Sequence, residues 1–358
     1  MKQSLKVISL LLSLALLFGM LASCGTDTAE EQTAADRSAI SDTINVYTAL
    51  EDDIIQAYLV SFYEKYPNIE IKITRDATGT IVSKLIAEKD NPIADVVWGT
   101  AVTSILSLGD YDLIEPYDPE GIERVLPQFK DKMTPARWVG IEVPEGAMVV
   151  DRKALEAKGL AVPTGFDDLI KPEYKGLIQA PDPTISGTGL LILSGILQLK
   201  GEEAGWEYLD ALNKNIDQFP PSGSKPAKNV DAGETAIGLS MGYRCVKLAQ
   251  ENPDLEVVFP VEGCPWDVEA NLLIKKPVIK EAAKLFLDWA ISDPALEACR
   301  VEYPIVATGG NGTVPEGYNQ DPVLNLSDKI DLYAMAAGRD SFFTDFTEKY
   351  LAPRGADA

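Results

Sequence analysis

Three short triplets in this 358-residue chain place a glycine between two hydroxyl side chains: Thr78-Gly79-Thr80, Ser186-Gly187-Thr188 and Ser222-Gly223-Ser224. The middle one lies in Asp182-Pro183-Thr184-Ile185-Ser186-Gly187-Thr188-Gly189, directly before the apolar run Leu190 to Leu199. Prolines at 181 and 183 keep the approach extended. The apolar run predicts a helix that Ser186 or Thr188 can cap, and Gly187 lets backbone come close to a ligand. The first N–H groups of a helix have no internal partner and sit at the positive end of its dipole. A hydroxyl-glycine-hydroxyl start is therefore a seat for an anion. One such triplet reads as an ordinary capped helix; three in one chain point to a ligand.

The chain has no histidine. That excludes Ser-His-Asp and Cys-His catalysis and any His-ligated metal. Carboxylate, lysine and tyrosine chemistry stay open, including a carboxylate–metal hydrolase built on residues such as Asp182 and Glu51. Of four cysteines, Cys245, Cys264 and Cys299 remain once Cys24 is set apart. Three thiols cannot all pair within one chain, although a Cys245–Cys264 bridge is open, and none has metal-ligand spacing. No metal or cofactor is expected. The formal charge is −23, or about −25 once Lys2 and Lys6 are removed, which argues against nucleic acid as a partner. A small anion is still admissible, because donors inside a cleft outweigh a surface charge that salt screens within about 8 Å.

The elements that must hold these triplets follow an α/β pattern. Lys2 and Lys6 precede an apolar run from Val7 to Met20 that is too short to span a bilayer and ends at Leu21-Ala22-Ser23-Cys24. This resembles a bacterial lipobox, with residues 1–23 as signal peptide and Cys24 lipidated at the outer face of a membrane. The small, polar, acidic residues up to 42 read as a flexible tether. Ile44 to Tyr47, Ile69 to Ile73 and Ala94 to Gly99 read as strands. Helical periodicity separates them at 52–66 and from Ile81 to Lys89, and a third helix is expected to start at Thr100. Strand–helix alternation predicts a right-handed parallel sheet, whose ligands sit outside the carboxyl ends of its strands. The loops at Ala49-Leu50-Glu51, Thr78-Gly79-Thr80 and Trp98-Gly99-Thr100 gather there.

A strand from Gly140 to Asp151, broken by Pro144, leads into a second lobe. Residues 268–274 return to the first. The expected organisation is lobe 1 over 43–143, lobe 2 over 144–267, and a return with C-terminal helices over 268–358. Two lobes joined by crossing strands make a hinged clamshell with its site at the interface.

Several stretches together resemble the 2-aminoethylphosphonate-binding proteins of ABC importers, in the ferric-ion-binding-like branch of type II periplasmic binding proteins. They are the lipobox, Val46-Tyr47-Thr48-Ala49-Leu50-Glu51, Asp95-Val96-Val97-Trp98-Gly99, Ser186-Gly187-Thr188-Gly189, Ser222-Gly223-Ser224-Lys225-Pro226, and Gly263 with Trp266-Asp267-Val268-Glu269-Ala270. The similarity runs from Ile44 to Thr308 and implies a Venus-flytrap fold, no catalysis and delivery to a permease. Ferric members carry a consecutive tyrosine pair where this chain has Tyr243-Arg244. A cationic Arg244 there disfavours Fe³⁺, which wants anionic oxygen ligands.

An aminophosphonate suits the residues in its own right. The triplets, Gly189 and Ser224 supply hydroxyls and N–H groups for its three oxygens, and Arg244 or Lys225 supplies charge. Its ammonium needs the acceptors Glu51, Asp267 and Glu269 beside Trp266, with Trp98 or Tyr47 as a wall. The expectation is a monomeric, lipid-anchored solute receptor on the extracytoplasmic side. A sugar-phosphate receptor, a phosphonate or phosphate-ester hydrolase and a sensory input module stand as alternatives.

Overall fold

The computed structural model describes residues 37–309, 314, 316–318 and 322–352. The signal segment, Cys24 and most of the tether lie outside the described residues. The first part of the chain forms β1 (Asp42–Thr48), α1 (Asp52–Lys65), β2 (Ile69–Arg75), α2 (Thr78–Ala87), β3 (Val96–Ala101), α3 (Val102–Ile105), β4 (Ile114–Glu115) and β5 (Val139–Glu142). Then come β6 (Gly146–Asp151), α4 (Arg152–Glu156), β7 (Ile178–Gln179), α5 (Gly187–Lys200), α6 (Glu202–Asn213), β8 (Ile216–Gln218) and α7 (Lys225–Asp231). They are followed by β9 (Ile237–Met241), α8 (Gly242–Glu251) and β10 (Leu255–Val258). The return consists of β11 (Glu269–Ile274), α9 (Glu281–Ala290), α10 (Asp293–Cys299) and α11 (Leu332–Phe346).

These strands build two sheets, one per lobe. Lobe 1 has the order β2-β1-β3-β11-β4, with β5 also on β11, and lobe 2 has β10-β6-β9-β7-β8. β1 lies parallel to β2 and to β3, as the strand–helix alternation predicts. The sheet is nevertheless mixed. β11 runs antiparallel to β3 because it comes back from lobe 2 and meets the sheet from the opposite end.

Lobe 1 is held by the apolar face of α1. Ile54, Ile55, Tyr58, Leu59 and Phe62 recur at helical spacing and are buried, and Asp52 and Asp53 in the first turn suit the positive helix start. Phe62 packs its ring 5.2 Å from both Phe286 and Trp289. Lobe 2 is built on α5, which is apolar almost all round and buried along its length, as befits a helix enclosed on every side.

Two crossings join the lobes, Val143-Pro144-Glu145 and Trp266-Asp267-Val268. They run side by side as a short antiparallel ribbon: Gly146 N–H donates to the Pro265 carbonyl at 2.8 Å, and Asp267 N–H to that of Pro144 at 3.1 Å. A ribbon of two segments can bend without breaking either sheet, which is what a hinge requires. The C-terminal helix α11 packs on both lobes. Its Leu332 and Met335 join the lobe 1 core and its Phe342 and Phe346 join that of lobe 2.

Candidate functional site

A cleft of about 410 Å³ opens between the lobes in front of the hinge. The strand ends and helix starts expected from the sequence meet around it. Lobe 1 contributes Ala49 and Glu51 after β1, Arg75 at the end of β2 and Asp76 after it, and Thr78 and Thr80 at the start of α2. Lobe 2 contributes Ser186, Gly187 and Thr188 at the start of α5, and Ser222 before α7. Asp267 and Glu269 form the floor.

The lobes touch across the two triplets. Gly79 N–H donates to the Ile185 carbonyl at 2.8 Å, so the first turn of α2 is completed by the other lobe. A Cβ on Gly79 would lie 2.7 Å from that carbonyl oxygen, and a Cβ on Gly187 would lie 2.7 Å from Thr78 Oγ1. At Gly79 the obstacle is backbone of the other lobe, so glycine is required there, whereas at Gly187 it is the Thr78 side chain, which would have to shift. The loop before α5 is set by Asp182, whose Oδ1 accepts from Thr184 N–H and Oγ1 at 2.8 and 2.6 Å. Ser186 then caps the helix, its Oγ accepting from Gly189 N–H at 3.3 Å.

Ion pairs tie the lobes on one flank. Arg244 on α8 reaches Asp53 of α1 at 3.1 Å and Glu51 at 3.8 Å, while Lys247 meets Asp53 at 3.3 Å and Lys228 meets Glu51 at 3.4 Å. Burial works against the Arg244 charge, but Tyr243, Asp53 and Glu51 outweigh it and hold the guanidinium ionised. Arg75 makes the third contact with Glu51, at 3.4 Å, and donates to the Leu50 carbonyl at 3.0 Å.

The floor is acidic and buried. Asp267 is fully buried and accepts from the Thr103 hydroxyl. Burial pushes its carboxyl up to about 6. Glu269 is 9% exposed, and burial together with Glu142 behind it holds its carboxyl well above the usual range. Glu145, in the other crossing, is pushed by burial up to about 7.

Ten of the nineteen residues expected at the site line the cleft: Ala49, Glu51, Thr78, Thr80, Ser186, Gly187, Thr188, Ser222, Asp267 and Glu269. Gly79 and Gly189 stand just behind as hydrogen-bonding backbone. Ser224 is buried behind Ser222, the two hydroxyls 3.3 Å apart. Leu50 is core, and Thr100 continues β3, buried and with its hydroxyl unpartnered, instead of starting a helix.

The expected aromatic walls lie elsewhere. Trp98 is in the lobe 1 core, with its ring 5.5 Å from Phe286, and Tyr47 is buried with its hydroxyl on Glu88. Trp266 turns its ring to Phe129 and its indole N–H to the Ser327 carbonyl. Tyr243 stacks on Tyr303 at 4.6 Å and does not line the cleft, nor does Arg244, and Lys225 is exposed outside it. Each tryptophan finds more apolar contact in a core than a small polar cleft offers. Sequence reading missed Arg75, Asp76, Pro144, Ile185 and Met241. Arg75 and Asp76 were findable, since they stand at the end of β2 just before a triplet. Met241 and Ile185 carry no signal beyond their neighbours. Cys245, Cys264 and Cys299 are free and buried, so the Cys245–Cys264 bridge is absent.

Two α/β lobes closing on a polar cleft define a solute receptor. The chain belongs to the family of bacterial extracellular solute-binding proteins, whose model matches residues 91–320. It is 30% identical to an uncharacterized protein of Haemophilus influenzae, over 70% of this chain and 73% of that one. It is 25% identical to a probable ABC transporter periplasmic-binding protein of Sinorhizobium fredii, over 86% and 87% of the two chains. Its structure superposes with a TM-score of 0.80 on AfuA, a periplasmic binding protein of Actinobacillus pleuropneumoniae solved with exogenous fructose-6-phosphate. That match has 25% identity and covers 87% of this chain and 99% of AfuA. The protein is a bacterial extracellular solute-binding protein. Among the described residues no helix is long and apolar enough to cross a membrane.

Proposed function

We propose that the cleft binds a small organic phosphonate carrying an amine, 2-aminoethylphosphonate, and that the closed receptor hands it to the permease. The observation that carries this reading is the convergence of hydroxyl-bearing helix starts from both lobes on a cleft whose floor is carboxyl. N–H groups and hydroxyls at helix starts suit the phosphonate oxygens, with Arg75 beside them. Asp267 and Glu269 suit the ammonium. A ligand that needs both ends satisfied favours the closed state, because only closure brings them together. Ferric iron is disfavoured by the Tyr243 hydroxyl being buried away from the cleft. Residues 21–24 support tethering through a lipid on Cys24, which Cys24→Ala would release from the membrane fraction.

Calorimetry on the full chain tests the ligand: saturable heat with 2-aminoethylphosphonate and no product over time is expected. A second reading, a sugar phosphate, is favoured by the fructose-6-phosphate of AfuA and by a cleft roomier than a two-carbon ligand needs. Heat with fructose-6-phosphate and none with 2-aminoethylphosphonate would decide for it.

A further inference from the structure

Behind the cleft floor two carboxyl side chains are set against each other without a cation. Strands β5 and β11 pair with Glu142 opposite Glu269. Glu142 is fully buried, and Glu269 shows only its cleft-facing edge. Glu142 Oε2 accepts from the Tyr58 hydroxyl at 2.9 Å. Glu142 Oε1 and Glu269 Oε2 have no donor among the described residues. The other groups facing the pair are neutral or acidic. Cys299 and Glu302 act on Glu142, Asp267 and Glu51 act on Glu269, and Tyr303 and Tyr243 lie close by. The guanidinium of Arg244 is turned to Asp53 and Glu51.

Two adjacent carboxylates in a dry site cannot both ionise cheaply, so such a pair retains a proton over a wide pH range. Burial raises Glu142 to about 7, and burial with Glu142 beside it holds Glu269 well above the usual carboxylate range, in the same direction as the geometry. A proton between them would also supply the missing donor.

We propose that Glu142 and Glu269 share one proton in the empty cleft, and that a ligand ammonium seated beside Glu269 expels it. The O–H bond of the shared acid breaks, the proton passes to water or buffer, and the pair goes from one negative charge to two. The incoming ammonium balances the second charge. A neutral hydroxyl in that place brings no charge and leaves the proton where it was. Glu142 is then a positioning residue that acts through Glu269, and the pair selects amine-bearing ligands. This deepens the aminophosphonate reading and rests on it.

Proton release is counted by calorimetry on the full chain in buffers of different ionisation heat. Near neutral pH, once the protons carried by each free ligand's own phosphonate are subtracted (the ammonium lowers the second phosphonate ionisation), 2-aminoethylphosphonate should release about one proton more than ethylphosphonate. Glu269→Gln should abolish the difference. Glu142→Gln should lower the pH at which it fades, because the like-charged neighbour is gone. Equal release by the two phosphonates in the wild type, or an excess that survives Glu269→Gln, overturns the proposal. If neither phosphonate binds, the ligand reading falls separately, and the infrared spectrum of the empty protein judges the pair. A protonated-carboxyl stretch that weakens in the Glu142→Gln, Glu269→Gln double variant supports the shared proton, and an unchanged band overturns it.

Discussion

The helix starts on the two sides of the cleft, Thr78-Gly79-Thr80 and Ser186-Gly187-Thr188, share one pattern and are bonded differently. In lobe 2, Ser186 stands before the helix and caps it through its own hydroxyl. In lobe 1 the residue before the helix is Ala77, which has no side chain to cap with. There the triplet falls inside the first turn, and Gly79 N–H is satisfied by the Ile185 carbonyl of the opposite lobe. The lobe 2 start takes its cap from within its own lobe and leaves its first N–H groups for a ligand. The lobe 1 start takes the acceptor for Gly79 N–H from the opposite lobe. One motif is thus bonded within its lobe on one side and across the cleft on the other, and the residue before the helix marks the difference.

The largest expected effect comes from blocking that contact. Gly79→Ala puts a Cβ 2.7 Å from the Ile185 carbonyl oxygen and 2.8 Å from that of Thr184, both of them backbone that cannot swing away. Overpacking of this kind costs about 1–3 kcal/mol, so affinity should drop up to ~100-fold. Lobe 1 should melt no lower, since alanine favours a helix over glycine by about 0.5–1 kcal/mol. Calorimetry and small-angle scattering would read a weaker and more open receptor; wild-type affinity would show that closure does not need this approach.

Thr188→Val comes next. It removes a hydroxyl that lines the cleft without changing its shape, and loss of a bond to a charged oxygen costs about 1.5–3 kcal/mol. Affinity for the phosphonate should fall at least ~10-fold with the denaturation midpoint unmoved. Unchanged affinity would return the α5 start to being only a cap.

The smallest effects test the capping contrast itself. Ser186→Ala should destabilise by about 1 kcal/mol, and Ala77→Ser should stabilise by a similar amount while occupying an N–H that closure or ligand would use. Urea unfolding of both variants, paired with binding, separates cap from seat. If Ala77→Ser gained no stability, the two helix starts would differ by more than their caps.

Much of this frame was legible in the chain. Strand–helix alternation from Ile44 to Gly99 and the break at Pro144 report local propensity and period, which need no partner. Helix starts were less legible: α2 begins at Thr78, not Ile81, because hydroxyl and glycine residues look like loop until a helix is known to follow. The aromatic residues misled most. Trp98 and Trp266 lie near the cleft in sequence, and packing turned both away from it.

By itself the sequence determined the class of elements, the absence of imidazole chemistry and the three polar triplets that surround the cleft. All of these follow from residue type and short-range spacing. Only the tertiary structure decided which lobe completes which helix start, that Arg244 bridges α1 and α8 instead of lining the cleft, and that Glu142 stands behind Glu269. Those facts depend on which surfaces meet across hundreds of residues. A register of one strand on another, as between β5 and β11, turns two unrelated glutamates into a pair in a dry interior, where their charges are felt strongly.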